Sequence, residues 1–496
     1  MMIMGSNKML QKVLILSLIV LFGCQPPPAE SPSITATVAS PDRTNPPKLG
    51  EPKKLDLPLI QTSSLSNGIP VYLMEKHNVP IVQVILQVNS GNLNDPDNRV
   101  GLASFTASML DEGAGEMNAL ELADAVDFLG ANLVTGSGRY TTTVSLNVPT
   151  RKLEEAMPLI ADVALRPLFP EKELNRLKAR SLTSLLQERD SPNAIARAAY
   201  SKVIYGDHPF GRRTDESSIK STSVADLQTF HAKHFVASNA KFIVVGDIEM
   251  STAKKHLESH FNDWTSGKVL EMKVSDVQQV QGRNLYLVDK PGAVQSVIIV
   301  TRMAVSRYSE DFYPITVMNT ILGGSFTSRL NWNLRETNGY AYGAGSRFSM
   351  GKYKGPFSAS ASVQTDATDK AIREFMNELN AIRDGISEEE IVRARNYVAL
   401  GYPSRFETIG DYANQLASLI NLELPFSTFN EYTSGILSVS VDEAVSSAKK
   451  YIDPENLSIV IVGDREKVED GIKTLGLGKV TLWTIDDVLG PTPTIQ

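Results

Sequence analysis

Apolar and polar positions along this chain follow two alternating periods, and the order in which those periods occur repeats once. Ala240-Lys-Phe-Ile-Val-Val-Gly-Asp247 is an apolar run entering a Gly-Asp turn, and Leu457-Ser-Ile-Val-Ile-Val-Gly-Asp464 repeats it 217 residues later. Each run predicts a buried strand leading through a turn into a helix. Upstream of the first run, the pattern predicts a strand over Ile81–Val88, a helix over about 101–111, a second helix ending at Gly130, paired strands near 131–138 and 140–148, and helices around 153–164 and 171–189. Upstream of the second, it predicts a strand over 294–302, a helix at about 311–322, a Gly-Ser break, and a helix to Arg335. Strands near 341–350 and 355–363 follow, then helices at 369–382 and from Ser387, which forms a capping box with Glu390. Strands and helices come in runs rather than strict alternation, which favours an α+β fold. The expected architecture is two homologous domains of about 210 residues, each a mainly antiparallel sheet packed with helices, over 59–264 and 284–490. A polar segment rich in Lys, Gln, Ser and Gly, 265–283, is the expected linker.

The amino-terminal end breaks the pattern. Lys8 and Lys12 precede an apolar run from Val13 to Phe22, too short to span a bilayer and read as the core of a signal peptide over 1–23. Leu21-Phe22-Gly23-Cys24 resembles a bacterial lipobox, so Cys24 is the expected lipidation site; the alternative is an ordinary secretory signal with an incidental Cys. Gln25 after it points to the outer membrane, with the body facing the periplasm. Residues 24–58 are rich in Pro among Ser, Thr and Ala, and such a segment reads as an extended tether.

Composition then narrows the chemistry. The 496 residues are 42% apolar, 21% charged and 7% aromatic, which fits a globular protein. There are 49 Lys and Arg against 56 Asp and Glu, a net charge of −7 with no basic stripe, so nucleic acid is not an expected partner. The single Cys excludes internal disulfides and thiolate metal clusters.

Four segments, in order, carry a resemblance: Ser66-Asn-Gly-Ile-Pro-Val-Tyr-Leu73; His208-Pro-Phe-Gly-Arg-Arg-Thr214; Val288-Asp-Lys-Pro-Gly-Ala-Val-Gln295; and Gly323-Gly-Ser-Phe-Thr-Ser-Arg-Leu330 followed by Leu334-Arg-Glu-Thr-Asn-Gly-Tyr-Ala-Tyr342. With the internal repeat, they resemble the inverzincin peptidases of family M16, the insulinase and pitrilysin type. The likeness is greatest to two-domain subunits like those of the mitochondrial processing peptidase, and spans nearly all of 59–490. The resemblance implies a LuxS/MPP-like metallohydrolase fold. It also implies a His-x-x-Glu-His helix, in which two imidazoles hold zinc and the Glu is general base. The matching segment here is Gly101-Leu-Ala-Ser-Phe-Thr-Ala-Ser-Met-Leu-Asp-Glu-Gly113, which puts Ser104 and Ser108 at the ligand positions and Ala107 at the base. The family's distal Glu should fall near Ser184 and Leu185, and the nearest acid is Glu188. No metal is therefore expected in this chain.

Other chemistries are weaker. His256 and His260 have metal-compatible spacing, but Glu258 lies on another face and Lys254 and Lys255 mark a solvated helix. His231 and His234 read as a surface helix end. No nucleophile elbow accompanies Ser104 or Ser108, and Gly323-Gly324 lacks the Lys-Ser/Thr of a phosphate loop.

The resemblance further implies that Arg335 and Tyr342 donate hydrogen bonds to a substrate backbone, with Gly323, Gly324, Gly343 and Gly345 allowing close approach. On spacing alone, Arg335 could equally pair with Glu336 and Tyr342 simply pack. A vacant zinc motif beside an intact Arg/Tyr pair looks like the non-catalytic subunit of a heteromeric peptidase. Such a subunit binds peptide or unfolded polypeptide, while a zinc-bearing partner cuts it. The alternative is a stand-alone peptide-binding or scaffolding protein.

Overall fold

The computed structural model describes residues 44, 50, 55–269 and 274–494; Cys24, the signal-like segment and nearly all of the Pro-rich tether lie outside the described residues. The apolar runs of the first half form β1 (Ile60–Ser64), β2 (Pro70–Glu75), β3 (Ile81–Val88), β4 (Asn132–Ser137), β5 (Thr142–Pro149) and β6 (Ala240–Gly246), in the sheet order β1-β2-β6-β3-β5-β4. The second half contributes β7 (Arg283–Asp289), β8 (Gln295–Met303), β9 (Ala341–Phe348), β10 (Pro356–Gln364), β11 (Leu457–Gly463) and β12 (Val480–Trp483), in the order β12-β7-β11-β8-β10-β9. Apart from one edge strand in each sheet, the two orders are the same strand for strand. Pairing is mainly antiparallel; β2 runs parallel to β6, and β7 runs parallel to both β11 and β12. The edge strands β1 and β12, which the repeat does not predict, differ: β1 is a hairpin partner of β2, whereas β12 comes from the end of the fold.

The first-half helices are α1 (Leu102–Met109), α2 (Ala119–Phe128), α3 (Leu153–Leu165), α4 (Glu171–Asp190), α5 (Pro192–Tyr205), α6 (Val224–His234) and α7 (Met250–Phe261), with a short helix over Glu216–Ser221 between α5 and α6. The second half has α8 (Phe312–Asn319), α9 (Thr368–Asp384), α10 (Glu388–Gly401), α11 (Ile409–Asn421), α12 (Val441–Tyr451), α13 (Arg465–Thr474) and α14 (Ile485–Leu489), with a further helix over Thr428–Ser438 between α11 and α12. α4, α5 and α6 begin 217 residues before α10, α11 and α12, so the offset seen between the Gly-Asp strands extends to the helices. Ser387 caps α10 as the sequence predicts, its hydroxyl and N–H both donating to Glu390.

The two halves are not two separate cores. Ile195, Ala196, Ala198 and Ala199 of α5, in the first half, pack on Val297 and Ile299 of β8 and Val460 and Val462 of β11. In return, α11 and its neighbours in the second half share a core with Met74, Ile85, Ile243 and Val245 of the first sheet. Each buried aliphatic side chain contributes about 1.5–3 kcal/mol, so the exchange is large enough to hold Pro52–Gln496 as one compact unit. α14 reinforces it: Val488 joins the α5 cluster, and Arg189 at the end of α4 donates to the Gly490 carbonyl.

The segment predicted as a helix over 311–322 is α-helical only to Asn319 and continues as a π-helical turn, Thr320–Gly324. After a break and one turn at Arg329–Asn331, a second π-helical stretch covers Trp332–Thr337. Such widened turns are rare and often mark functional segments.

Candidate functional site

α5 covers β8 and β11 but leaves β10 and β9 open on the same face, and the uncovered area is the floor of a cavity of about 1140 Å3. The residues of β10 explain its polarity. Phe357, Ala359, Ala361 and Val363 point into the core, while Ser358, Ser360 and Ser362 alternate with them and line the cavity. Both halves build the walls: α5 and the β4–β5 loop on one side, the two π-helical stretches and β9 on the other.

The four second-half residues singled out in the sequence, Gly323, Gly324, Arg335 and Tyr342, all line this one cavity. Arg335 sits in the second π-helical stretch. Gly339, at φ +66, then reverses the chain, a conformation a side chain would strain, and β9 begins two residues later at Ala341, with Tyr342 its second residue. The Arg335 guanidinium lies 5.1 Å from the Tyr342 ring centre and 4.6 Å from that of Phe326. Glu336 approaches it at 3.3 Å. Tyr342 is 88% exposed, so its hydroxyl is open to a ligand rather than packed. The pair offers a fixed cation and a neutral donor side by side.

Two buried or half-buried asparagines, which the sequence reading missed, hold this segment in place. Asn331 donates to the Phe326 carbonyl and accepts from the Ala344 N–H, tying the loop to β9. Asn319 donates to the Ser346 carbonyl and accepts from its hydroxyl. Gly323 differs in role from the expectation: a Cβ there would lie 2.3 Å from the Ser346 nitrogen, so this glycine lets the π-helical turn touch β9. Gly324 and Gly343 are exposed to the cavity and remain compatible with close backbone approach.

The opposite wall is aromatic. Phe210, from the His-Pro-Phe-Gly motif, meets Tyr140 and the second-half Tyr353 edge-on at 6.3 and 5.7 Å, closing the halves against each other. His208 caps the turn by accepting from the Phe210 N–H, and its other ring nitrogen meets the Ser275 carbonyl. Arg139 lies over Phe210 at 4.2 Å.

Ser104, Ala107 and Ser108 are elsewhere. The Ser104 hydroxyl donates to Asn92 Oδ1 at 3.1 Å, Ser108 is exposed, and Ala107 is 1% exposed in the core. None of the three lines the large cavity; the start of α1 borders a smaller one of about 300 Å3 that shares Arg139 and Phe210 with it. Asp95 fixes that end of α1, accepting from the Gly101 and Ala103 N–H groups at 2.7 Å, while burial pushes its carboxyl up to about 6. Glu188, the acid nearest the family's distal ligand, is paired with Arg213 at 2.6 Å. Two hydroxyls, one methyl and a carboxylate already held by Arg213 do not fit a zinc ion, which takes imidazole, thiolate or free carboxylate.

Other histidines are placed by the fold around them. His231 and His234 are not a surface helix end: α6 packs inward, His231 meets the Ala164 carbonyl at 2.9 Å, and burial holds the His234 ring down to about 4. Glu258, between His256 and His260, accepts from the Ser66 N–H and hydroxyl and so pins the Ser66-Asn-Gly turn to α7.

Two family models match the chain: Insulinase (Peptidase family M16) over residues 71–214, and Peptidase M16 inactive domain over residues 221–398. The non-peptidase homolog YmxG of Helicobacter pylori is 23% identical over 408 residues, 80% of this chain and 93% of that one. The crystal structure of the peptidase M16 inactive domain from Pseudomonas fluorescens superposes with a TM-score of 0.76 and 25% identity, covering 82% of this chain and 98% of that chain. The periplasmic protease PqqL from Escherichia coli matches with a TM-score of 0.70 and 16% identity, over 87% of this chain and 52% of that chain.

Proposed function

Because the chain belongs to peptidase family M16, we propose that it is a non-catalytic member that binds extended polypeptide in the large cavity and completes the site of a separate, zinc-bearing M16 subunit. The observation that carries this reading is the split between the halves. Arg335 and Tyr342 face an open cavity, while the helix that would hold zinc offers Ser104, Ala107 and Ser108. A guanidinium and a phenol suit a peptide carbonyl or the oxyanion formed from it, and contribute most in a site that excludes water. The cavity exceeds the ~300–1,000 Å3 usual for small-molecule pockets, as a polypeptide segment requires. Two comparisons support the assignment: the inactive-domain model over the second half, and the relative named a non-peptidase homolog. A match to about half of PqqL supports the need for a second body, since that protease carries about as much chain again beyond the matched part. The same reading puts lipid on Cys24 and the body in the periplasm at the outer membrane, with 24–58 as tether.

Co-purification from the native cell, followed by metal and activity measurements on the complex and on this chain alone, tests the proposal. The complex should contain zinc and cleave peptides, this chain alone should do neither, and Arg335→Ala should lower the kcat of the complex by about 10²-fold or more. Peptide hydrolysis by this chain alone, carried by zinc it binds stoichiometrically, would overturn it. A purified chain that binds peptide but never recruits a peptidase would instead establish the stand-alone reading. Metabolic labelling with palmitate, lost in Cys24→Ala, tests the anchor.

A further inference from the structure

Four arginines and one lysine line the large cavity, and among its lining residues there is no Asp or Glu. This is unexpected in a chain with seven more acids than bases. Two of the five cations have carboxylates just outside: Glu336 beside Arg335, and Asp276 at 2.8 Å from Lys354. Arg139, Arg197 and Arg347 form no ion pair with any described carboxylate. They come from three separate elements, the β4–β5 loop, α5 and β9, and both halves of the molecule supply them. Arg139 lies over Phe210 at 4.2 Å, faces Tyr205 at 5.7 Å and hydrogen-bonds the Tyr140 hydroxyl, an arrangement that fixes the guanidinium while its other N–H groups remain for an anion. Between them lies the hydroxyl floor of Ser358, Ser360 and Ser362, which can donate but adds no negative charge.

Like charges gathered in a concave space repel one another, and the walls focus their field inward. A ligand of opposite sign relieves that repulsion and is drawn in by it. Resting on the reading that the cavity takes polypeptide, we propose that it selects acidic segments, with Arg139, Arg197 and Arg347 receiving Asp and Glu side chains while Arg335 and Tyr342 hold the backbone. A carboxylate beside a guanidinium makes two parallel N–H···O bonds, so three such residues on three walls read the spacing of acids along an extended chain as well as their number.

The test uses the full chain purified in detergent and three fluorescent, extended peptides of equal length, rich in Asp and Glu, in Ser and Asn, and in Lys. Fluorescence anisotropy at low salt should give the acidic peptide at least about tenfold tighter binding than the neutral one, with the basic peptide weakest. The advantage should shrink as salt brings the Debye length down to about 8 Å. Arg197 and Arg347 are exposed, so Arg197→Glu combined with Arg347→Glu should fold, as checked by its melting curve, and should invert the preference towards the basic peptide. Equal binding of acidic and neutral peptides would overturn the charge selection and leave the polypeptide reading standing. Failure of all three peptides to bind would overturn both. A single-stranded oligonucleotide that binds tighter than the acidic peptide would also overturn the proposal, because the cations would then serve phosphates.

Discussion

The segment between β3 and β4 in the first half and its counterpart between β8 and β9 in the second show how far two copies of one scaffold can diverge. In the first half it is α1 and α2, regular helices, with α1 turned into the core through Leu102, Ala103, Phe105, Ala107 and Met109. In the second half it is α8 and two π-helical stretches, with Phe326 and Trp332 66% and 60% exposed and Tyr342 at the start of the next strand. The five strands behind each segment, leaving aside the edge strands β1 and β12, keep the same order. Chemistry at this place depends on a few side chains and on the local helix pitch, and neither affects the strand pairing that holds the fold. A ligand set can therefore be absent from one half without any trace in its sheet, while the other half carries π-helical turns that face the cavity.

The comparison breaks most severely if the exchanged helices are weakened, because each covers the other half's sheet. Leu416→Ala on the buried face of α11 should cost about 2–5 kcal/mol and lower the unfolding temperature of the whole body in one transition. Two resolved calorimetric transitions would show the halves to be independent. A smaller effect is expected from rebuilding the family's motif in the first half. The triple change Ser104→His, Ala107→Glu, Ser108→His should not produce stoichiometric zinc by metal analysis, because Glu188 stays with Arg213, and the bulk at Ala107 should cost about 1–3 kcal/mol.

On the second-half side, Arg329 at the start of the Arg335 segment makes a bidentate pair with Glu390 at 2.7 and 2.8 Å, anchoring the segment to α10. The Arg329 guanidinium, with the Ser387 cap, holds the Glu390 carboxyl down to about 2. Its stabilisation is therefore present above the ordinary carboxylate range and is lost as the pH falls from about 4.5 towards 2. Glu390→Gln should cost about 1–3 kcal/mol at neutral pH and flatten that acid limb in a pH series of melts. The smallest effect at neutral pH belongs to the first half. Burial keeps His234 neutral, with Lys233 adding to this, so folded protein resists taking up a proton that the unfolded chain accepts. Stability should fall as the pH drops from about 6.5 to about 4, and His234→Gln should remove that loss while changing little at pH 7.

Much of this was readable in the chain because the signals are local. The Gly-Asp strands, the Ser387 cap and the Arg335–Gly339–Tyr342 spacing each depend on residues near in sequence, and each is found where the pattern put it. The alternation Ser358-Ala-Ser-Ala-Ser362 was equally available and marks a strand with one hydroxyl face; it went unread because small residues give a weak hydrophobic contrast. His231 and His234 were misplaced for the opposite reason: Lys233 and their own polarity hide a face that α3 and the core cover only after folding.

The sequence by itself determined the α+β class and the repeat, since hydrophobic period acts over a few turns of chain and recurs intact 217 residues later, and its motifs carried the resemblance to the family. The tertiary structure alone decided that α5 and α11 are exchanged and that the uncovered part of the second sheet becomes a cavity. It also decided that Arg139 and Arg197, 196 and 138 residues before Arg335, share that space with it. The reason is physical: an amphipathic helix specifies that it must bury an apolar face, and carries no mark of which sheet will receive it.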